Sequence, residues 1–509
     1  MRGNILFPDV GTKLIFITLT QKLIIMTKIA VAKGDGIGPE IMEAVLEIFK
    51  AANVPLDYEY VDMGKWVFDK GYSNGMTPQA QQTIENLGIL FKGPMETPKG
   101  KGVKSVNVTA RKTWNTYANK RAFQTLHGVD TVFSKAGIPI DITIVRENIE
   151  DTYGGIEHML TYDVALSRRF ITHPGSLQVI KYAFEMAKKK GTIRITCGHK
   201  ANIMKLTDGL FLQTFYEVAK EYPELKADDI IVDDLCMKLV TRPDTFDVVV
   251  LTNLQGDIVS DLCAGLVGGL GFAPSANIGD HIAIFEAVHG TAPDIMGKNI
   301  ANPTALLLSG LALLRHVGLM ENAAIIENAL LYTLEQGVHT GDFGDKSTPA
   351  LNTTEFAESI IANFGKIPAN NPRPVLENMP VTPTVFKLDK NPMLENHENT
   401  AETIIGVDFF IESNEQPSVI ATKCLTHTFG LFKLVTISNR GTQVWPTGSV
   451  FTNLVNVYAC RFESVGDVPV TQTDVIELYR HLAQEFKVCS TELLNVWDAK
   501  KQYSLAAGQ

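Results

Sequence analysis

Phe246-Asp247-Val248-Val249-Val250-Leu251-Thr252 runs directly into Asn253-Leu254-Gln255-Gly256-Asp257-Ile258-Val259-Ser260-Asp261, and the reading of that junction decides the fold. The first half is apolar and β-branched without alternation, the pattern of a strand buried on both faces of a parallel sheet. The second half turns helical. This places Asp257 and Asp261 four residues apart on one helix face, just past the carboxyl end of the strand. Like charges at that spacing repel unless a cation sits between them. Two carboxylates there suit a hard divalent ion such as Mg2+ or Mn2+, at the end of the strands where open α/β sheets bind ligands. The competing reading is an aspartate at a helix start followed by a solvated one.

Outward from this junction, between about residues 28 and 364, short apolar runs alternate with longer amphipathic ones. That texture predicts an α/β protein with a largely parallel sheet. Helices are expected at 39–52, 176–189 and 305–316, and strands at 142–145 and 248–251. Residues 367–392 hold six prolines and read as a linker. Beyond it, strand 407–411, helix 417–425, strands 432–437 and 454–462, helix 473–486 and strand 492–496 follow in the order βαββαβ. That order predicts a small α+β ferredoxin-like domain. It shows no metal cluster and no glycine-rich phosphate loop, so a regulatory or oligomerising role is expected of it.

With 509 residues, 45% hydrophobic and 20% charged, the chain is long enough for two or three globular domains. A formal net charge of -10 argues against general nucleic-acid binding. Six scattered cysteines (Cys197, Cys236, Cys263, Cys424, Cys460 and Cys489) form no CxxC pair. They read as small buried hydrophobes in a reducing compartment: the cytoplasm, or the mitochondrial matrix of a eukaryote. The apolar run at 14–25 is too short and too polar to span a bilayer, and no other segment is a transmembrane candidate. Met26-Thr27-Lys28-Ile29-Ala30-Val31 looks like a protein start leading into a strand, so residues before it read as an extension or a misassigned start.

Two further motifs bear on chemistry. Gly34-Asp35-Gly36-Ile37-Gly38-Pro39-Glu40 follows the first strand, but its spacing is wrong for a dinucleotide fingerprint, and a tight turn with an N-terminal cap is expected instead. A basic and hydroxyl-rich set comprises Lys104-Ser105-Val106-Asn107-Val108-Thr109-Ala110-Arg111, then Arg121, then Arg146. Three guanidinium groups with Ser and Asn donors suit a small polycarboxylate, although any one of them alone would more often be a surface ion pair.

These motifs, together with Glu147-Asn148-Ile149-Glu150-Asp151-Thr152-Tyr153-Gly154-Gly155, Asn202-Ile203-Met204-Lys205 after His199-Lys200, and Glu286-Ala287-Val288-His289-Gly290-Thr291-Ala292-Pro293-Asp294, occur in a characteristic order. The chain thereby resembles the β-decarboxylating dehydrogenases, the family of isocitrate, isopropylmalate and homoisocitrate dehydrogenases. Its C-terminal module is similar to that of the longer bacterial isocitrate enzymes, including the rickettsial type. The resemblance implies a two-domain α/β fold with a mixed parallel sheet. Residues 27–126 and 277–366 would form the large cofactor-binding domain and 127–276 the small domain with a dimer clasp. Residues 1–26 would be an extension, 367–400 a linker and 401–509 the C-terminal domain.

The resemblance also implies roles. Ser105, Asn107, Arg111, Arg121 and Arg146 would hold isocitrate; isopropylmalate enzymes place an apolar contact where Ser105 stands. A site built to hydrogen-bond the substrate's extra carboxylate should reject an isopropyl analogue. Asp257 and Asp261 would bind the metal, joined by Asp233 of a second subunit. Tyr153 and Lys200 would be the acid–base pair, Lys200 also reaching across, so a homodimer or larger assembly is expected. His289, Gly290, Thr291, Ala292 and Asn302 would line the adenine-ribose site, with Thr97, Asn202 and Asp342 completing the cofactor set. Phosphate-selecting members carry Lys-Tyr where this chain has Asp294-Ile295, and a Tyr and an Arg where it has Gly341 and Asp345. A carboxylate accepts hydrogen bonds from ribose hydroxyls but repels a phosphate dianion. NAD is therefore expected, with NADP as the alternative. The implied activity is metal-dependent oxidative decarboxylation of isocitrate to 2-oxoglutarate and CO2 in the tricarboxylic acid cycle. Another 2-hydroxy acid of the family, or a noncatalytic regulatory subunit, are the other readings; the intact acid, base and metal positions weigh against the last.

Overall fold

The computed structural model of the protein describes residues 26–96, 105–378, 402–428, 430–448 and 452–504. The first 25 residues, Thr97 and residues 379–401 of the proline-rich stretch lie outside the described residues. Among the described residues twelve strands precede that stretch: β1 (Thr27–Ala32), β2 (Leu56–Tyr60), β3 (Ile89–Lys92), β4 (Ala118–Gln124), β5 (Asp141–Glu147), β6 (Ile156–Met159), β7 (Ala165–Arg168), β8 (Arg194–His199), β9 (Lys226–Ile231), β10 (Val248–Leu251), β11 (Pro274–Ile278) and β12 (Ala283–Ala287). Ten of them form one sheet in the order β2-β1-β3-β12-β11-β4-β5-β10-β8-β9, while β6 and β7 pair as a separate exposed hairpin. Strands run parallel at both ends of the sheet, and antiparallel pairs β12–β11, β11–β4 and β4–β5 join the halves in the middle.

The run Val248–Leu251 is β10, fully buried and parallel to β5 on one side and β8 on the other. Its neighbours explain the continuous apolar run. Helices Val232–Thr241 and Asn253–Leu266 pack on one face through Leu235, Leu239, Val259 and Cys263. Helices His173–Lys190 and Thr207–Ala219 pack on the other through Val179, Phe184, Phe211 and Phe215. The other half of the sheet has its own core, where helices Gly38–Ala51, Thr304–His316, Met320–Glu335 and Thr353–Ala362 meet through Phe49, Leu314, Leu330 and Phe356. Burying Leu or Phe side chains of this kind stabilises by about 1.5–3 kcal/mol each.

The C-terminal part is a separate antiparallel sheet of β13 (Glu402–Glu412), β14 (Phe432–Asn439), β15 (Thr442–Trp445), β16 (Val457–Ser464), β17 (Lys487–Trp497) and β18 (Lys500–Lys501). Its order, β15-β14-β16-β13-β17-β18, has the ferredoxin-like arrangement at its centre, with β15 and β18 added at the edges. Helices Pro417–Leu425 and Gln472–Glu485 cover one face through Ile420, Cys424, Leu478 and Leu482. Strand β17 is longer than the sequence pattern predicts. Its first half is polar (Cys489, Ser490, Thr491, Glu492), yet ladder bonds to β13 hold it extended along its whole length. Among the described residues no helix is long and apolar enough to cross a membrane.

The glycine turn after β1 is structural, as its spacing predicts. Gly36 has φ +59°, and a Cβ there would lie 2.0 Å from the Thr291 carbonyl oxygen. Asp35 does not cap the helix that follows. Its carboxylate instead accepts the backbone N–H of Lys65 and of Glu96, both at 2.9 Å, because the tight turn directs it away from the helix start.

Candidate active site

Three adjacent strands supply the centre of the site. Arg121 lies on β4 opposite Ile144, and Arg146 lies at the end of β5 beside Leu251 of β10. Helix Asn253–Leu266 begins directly above Arg146. A Cβ on Gly256 would stand 2.7 Å from Arg146 Cβ and Cγ, so only glycine lets the helix settle this low. Arg146 donates from Nε and Nη2 to Asn253 Oδ1 at 2.9 and 2.7 Å, and from Nη1 to Asp257. Arg121 donates to Asn119 Oδ1 at 2.7 Å, Ser260 Oγ at 2.5 Å and Asp257 Oδ1 at 3.5 Å, and lies 3.7 Å from Asp261 Oδ1. Tyr153 donates its hydroxyl to Asp257 Oδ2, and its ring lies 4.7 Å from the Arg146 guanidinium carbon. Thus two arginines and the tyrosine converge on one aspartate.

A second buried cluster stands beside it. Lys92, from the end of β3, pairs with Glu286 Oε2; Arg111 donates to Glu286 Oε1 at 2.9 Å and Asn277 Nδ2 to the same oxygen at 2.7 Å. Asn107, Arg111, Arg121, Glu286, His289 and Gly290 line one small cavity of about 90 Å3. Three buried polar atoms of this set have no partner among the described residues: Asn107 Oδ1, Arg111 Nε and His289 Nε2. Orphaned donors and acceptors of this kind are costly unless a ligand satisfies them.

Burial opposes ionisation of Asp257, but the charges of Arg146 and Arg121 and the Tyr153 hydroxyl outweigh it, and its carboxyl is held below the usual range. Asp261 is pushed the other way, by burial and by the Asp257 charge. That is the repulsion the sequence spacing predicts. Burial and the bond to Asp257 raise Tyr153, which therefore keeps its proton. Burial also works against the Glu286 carboxylate, and Lys92 and Arg111 together more than reverse it, so Glu286 stays ionised.

A separate cleft of about 340 Å3 runs from the same His289 and Gly290 past Ala292, Ile295, Ile300 and Asn302 to Asp342. Asn302 donates to Asp342 Oδ2 at 3.1 Å, and Thr340 donates to Asp342 Oδ1 at 2.5 Å. Asp294, Asp342 and Asp345 are all exposed at this end.

The family described as isocitrate/isopropylmalate dehydrogenase matches residues 28–360, and the family described as bacterial isocitrate dehydrogenase, C-terminal domain, matches residues 402–509. The chain belongs to the isocitrate/isopropylmalate dehydrogenase family. A Thermus thermophilus relative named isocitrate dehydrogenase [NADP] is 43% identical over 484 residues, covering 94% of this chain and 96% of that one. An Arabidopsis thaliana relative named isocitrate dehydrogenase [NAD] catalytic subunit 5, mitochondrial, is 47% identical over 329 residues, covering 64% of this chain and 86% of that one. A crystal structure of a Thermus thermophilus protein superposes with a TM-score of 0.88 at 42% identity, covering 95% of this chain and 96% of that one.

The remaining residues singled out by the family resemblance fall in several places. Ser105 immediately precedes helix Val106–Thr113 without capping it through its side chain. Lys200 and Asp233 pair with each other just past the carboxyl ends of β8 and β9, and Asn202 stands exposed on the loop after Lys200. Among the described residues no group of three or more His, Cys, Asp and Glu side chains is placed to hold a metal ion. One chain therefore offers the carboxylates of Asp257 and Asp261, and the donor set fits a hard cation only as part of a larger oxygen shell.

Sequence reasoning missed Asn119, Asn253 and Ser260, which accept from the arginines, and Lys92 and Asn277, which bond to Glu286, and assigned Glu286 no part. Glu286 did leave a signal. It is the lone charge in the otherwise apolar strand Ala283–Ala287, and a buried unpaired carboxylate is not tolerated. Lys92, the lone charge of the apolar strand Ile89–Lys92, left the matching one; the others left none, because a short polar residue in a strand or turn looks the same whether it holds an arginine or water.

Proposed function

We propose that the protein is an isocitrate dehydrogenase, converting isocitrate to 2-oxoglutarate and CO2 with reduction of a nicotinamide dinucleotide. The observation that carries this reading is the convergence of Arg121, Arg146 and Tyr153 on Asp257, beside a cavity with unpartnered Asn107 and Arg111 atoms. Charge supports it. Lys92, Arg111, Arg121 and Arg146, with Lys200 of a second copy, exceed Glu286, Asp257, Asp261 and that copy's Asp233 by one. A bound dication raises the excess to three, which a tricarboxylate would neutralise. A substrate with one carboxylate fewer would leave buried cation unpaired.

In this reading Asp257 and Asp261, with Asp233 of a second copy, hold Mg2+ or Mn2+. That ion supplies acidity to the substrate hydroxyl and an electron sink for the loss of CO2. The arginines orient the carboxylates, Lys200 of the second copy takes the hydroxyl proton, and Tyr153 returns one to carbon. The protein is proposed to work as a homodimer or larger assembly. Ile156, Met159, Ile203, Met237 and Ile258, exposed here on the hairpin, the Lys200 loop and two helices, favour it. Residues 27–126 with 277–366 would be the large domain, 127–276 the small one, and the setting the cytoplasm.

For the cofactor, we favour NAD. Asp294 and Ile295 stand where the family's phosphate-selecting members carry Lys-Tyr, and a carboxylate would repel a 2′-phosphate. NADP is the second reading, because the Thermus relative that matches almost end to end carries NADP in its name. Reduction of each cofactor by purified chain, isocitrate and Mn2+ tests both statements. No reduced nicotinamide with either cofactor refutes the activity, and a higher kcat/KM for NADP refutes NAD.

A further inference from the structure

A buried charge cluster that takes no part in the chemistry above ties Lys200 to the rest of the chain. Arg169 donates from Nε to Asp151, and from Nη1 to Asp208 Oδ1 at 2.5 Å and Thr207 Oγ1 at 3.1 Å. Both aspartate side chains are fully buried. The second oxygen of Asp208 accepts the backbone N–H of Lys200 at 2.6 Å and the Gln255 side chain at 2.9 Å. Asp151, two residues before Tyr153, accepts the backbone N–H of Leu254 at 2.9 Å.

These bonds are not equally replaceable. Helix Asn253–Leu266 is held independently by Asn253 on Arg146 and Leu254 on Asp151, whatever Asp208 does. The Lys200 backbone, at the start of an exposed turn, is held from outside that turn by the Asp208 carboxylate. An asparagine at 208 cannot satisfy both sides. It has one accepting oxygen, whereas the carboxylate takes Arg169 on one oxygen and Lys200 on the other.

We propose that Asp208, fixed by Arg169, is a positioning residue for Lys200, and that in the assembled protein it governs the neighbouring subunit's active site rather than its own. The inference rests on the proposed activity and on the delivery of Lys200 across the dimer. A lysine set by a loop is placed no better than the loop's backbone, and a displacement of about 1 Å at a reacting group costs on the order of 100-fold in rate.

The test uses full-length chains carrying two different tags, co-expressed so that mixed dimers can be isolated. Y153F and K200A homodimers are expected to be inactive, and their mixed dimer to regain about half of wild-type turnover, having one intact site of two. D208N homodimers should lose roughly 100-fold in kcat with the KM for isocitrate little changed, since the arginines are untouched. D208N mixed with Y153F should regain about half of wild-type turnover. D208N mixed with K200A should show no gain over the D208N homodimer. Hydrogen exchange supplies a readout that does not depend on turnover: the Lys200 amide should exchange at least about tenfold faster in D208N. If D208N does not fold, T207V, which removes one bond to Arg169, should show the same pattern at smaller amplitude.

Rescue by K200A and not by Y153F would place the effect in Asp208's own site and overturn the proposal. So would wild-type kcat, or an unchanged Lys200 amide, in D208N. Wild-type chains without isocitrate turnover would bring down the proposed activity and this inference together. Active wild-type dimers with the wrong rescue pattern bring down the inference alone.

Discussion

Glu286 is the sharpest place to perturb the site, because it joins a buried lysine to a substrate arginine. In Glu286→Gln the side chain keeps its volume, and its amide oxygen can still accept from Asn277. Lys92, with 1% of its side chain exposed, loses its counterion, and Arg111 exchanges a carboxylate for a neutral amide oxygen. Breaking a buried pair by neutralising one member costs about 3–5 kcal/mol of stability, so the unfolding temperature should drop by several degrees. Replacing the charged acceptor that orients Arg111 by a neutral one should cost about 1–1.5 kcal/mol of substrate recognition, or roughly 5- to 13-fold in kcat/KM for isocitrate. The two losses separate in a double variant. K92M/E286Q removes both charges and should recover most of the stability, since replacing a whole buried pair by matched neutral groups is often nearly neutral. Its kcat/KM should stay low, because Arg111 still faces a neutral acceptor in place of a carboxylate. Initial rates against isocitrate, with scanning calorimetry on the same samples, decide it. A Glu286→Gln enzyme with unchanged kcat/KM, or a double variant that recovers both properties, refutes the reasoning.

Other outcomes follow from the same geometry. Asp257→Asn removes the anion on which Arg121, Arg146 and Tyr153 converge. Turnover should fall at least ~100-fold with an unchanged circular dichroism spectrum; full activity in that variant, or in excess chelator, would contradict the metal reading. The pair D294K/I295Y should move the NADP-to-NAD ratio of kcat/KM upward, and an unmoved ratio would mean these positions do not face the ribose. Burial pushes the Glu147 carboxyl from 4.5 up to about 7, despite backbone N–H bonds from Ile149 and Glu150. A raised folded value favours the protonated form, so this contribution is complete below pH ~4.5 and fades as pH rises toward 7. Glu147→Gln should therefore gain in unfolding temperature relative to the parent between pH 5 and 8; parallel curves would contradict it.

Much of this was legible because it rests on local rules. Continuous apolar β-branching marked Val248–Leu251 as a buried parallel strand, and the proline at position 39 fixed the start of helix Gly38–Ala51 to within a residue. The spacing of Asp257 and Asp261 announced their closeness, and the Asp257 charge does help to raise the Asp261 carboxyl. The ferredoxin-like order of the C-terminal sheet also showed in the alternation of its elements. The polar half of β17 did not show, because its extension depends on a backbone ladder to β13, 80 residues earlier at the pairing of Ser490 with Phe410 and 84 at that of Glu492 with Asp408.

The sequence by itself determined the elements, the chemical groups and the family, because helix caps, burial patterns and motifs act over a few residues. Only the tertiary structure decided which groups share a charge environment. Lys92 and Glu286 lie 194 positions apart in the chain and meet because β3 and β12 pair in parallel. Arg121 and Arg146 reach Asp257 because β4, β5 and β10 lie side by side. Coulomb energy depends on separation in space and on the water excluded between charges, and neither quantity is written in the order of residues along the chain.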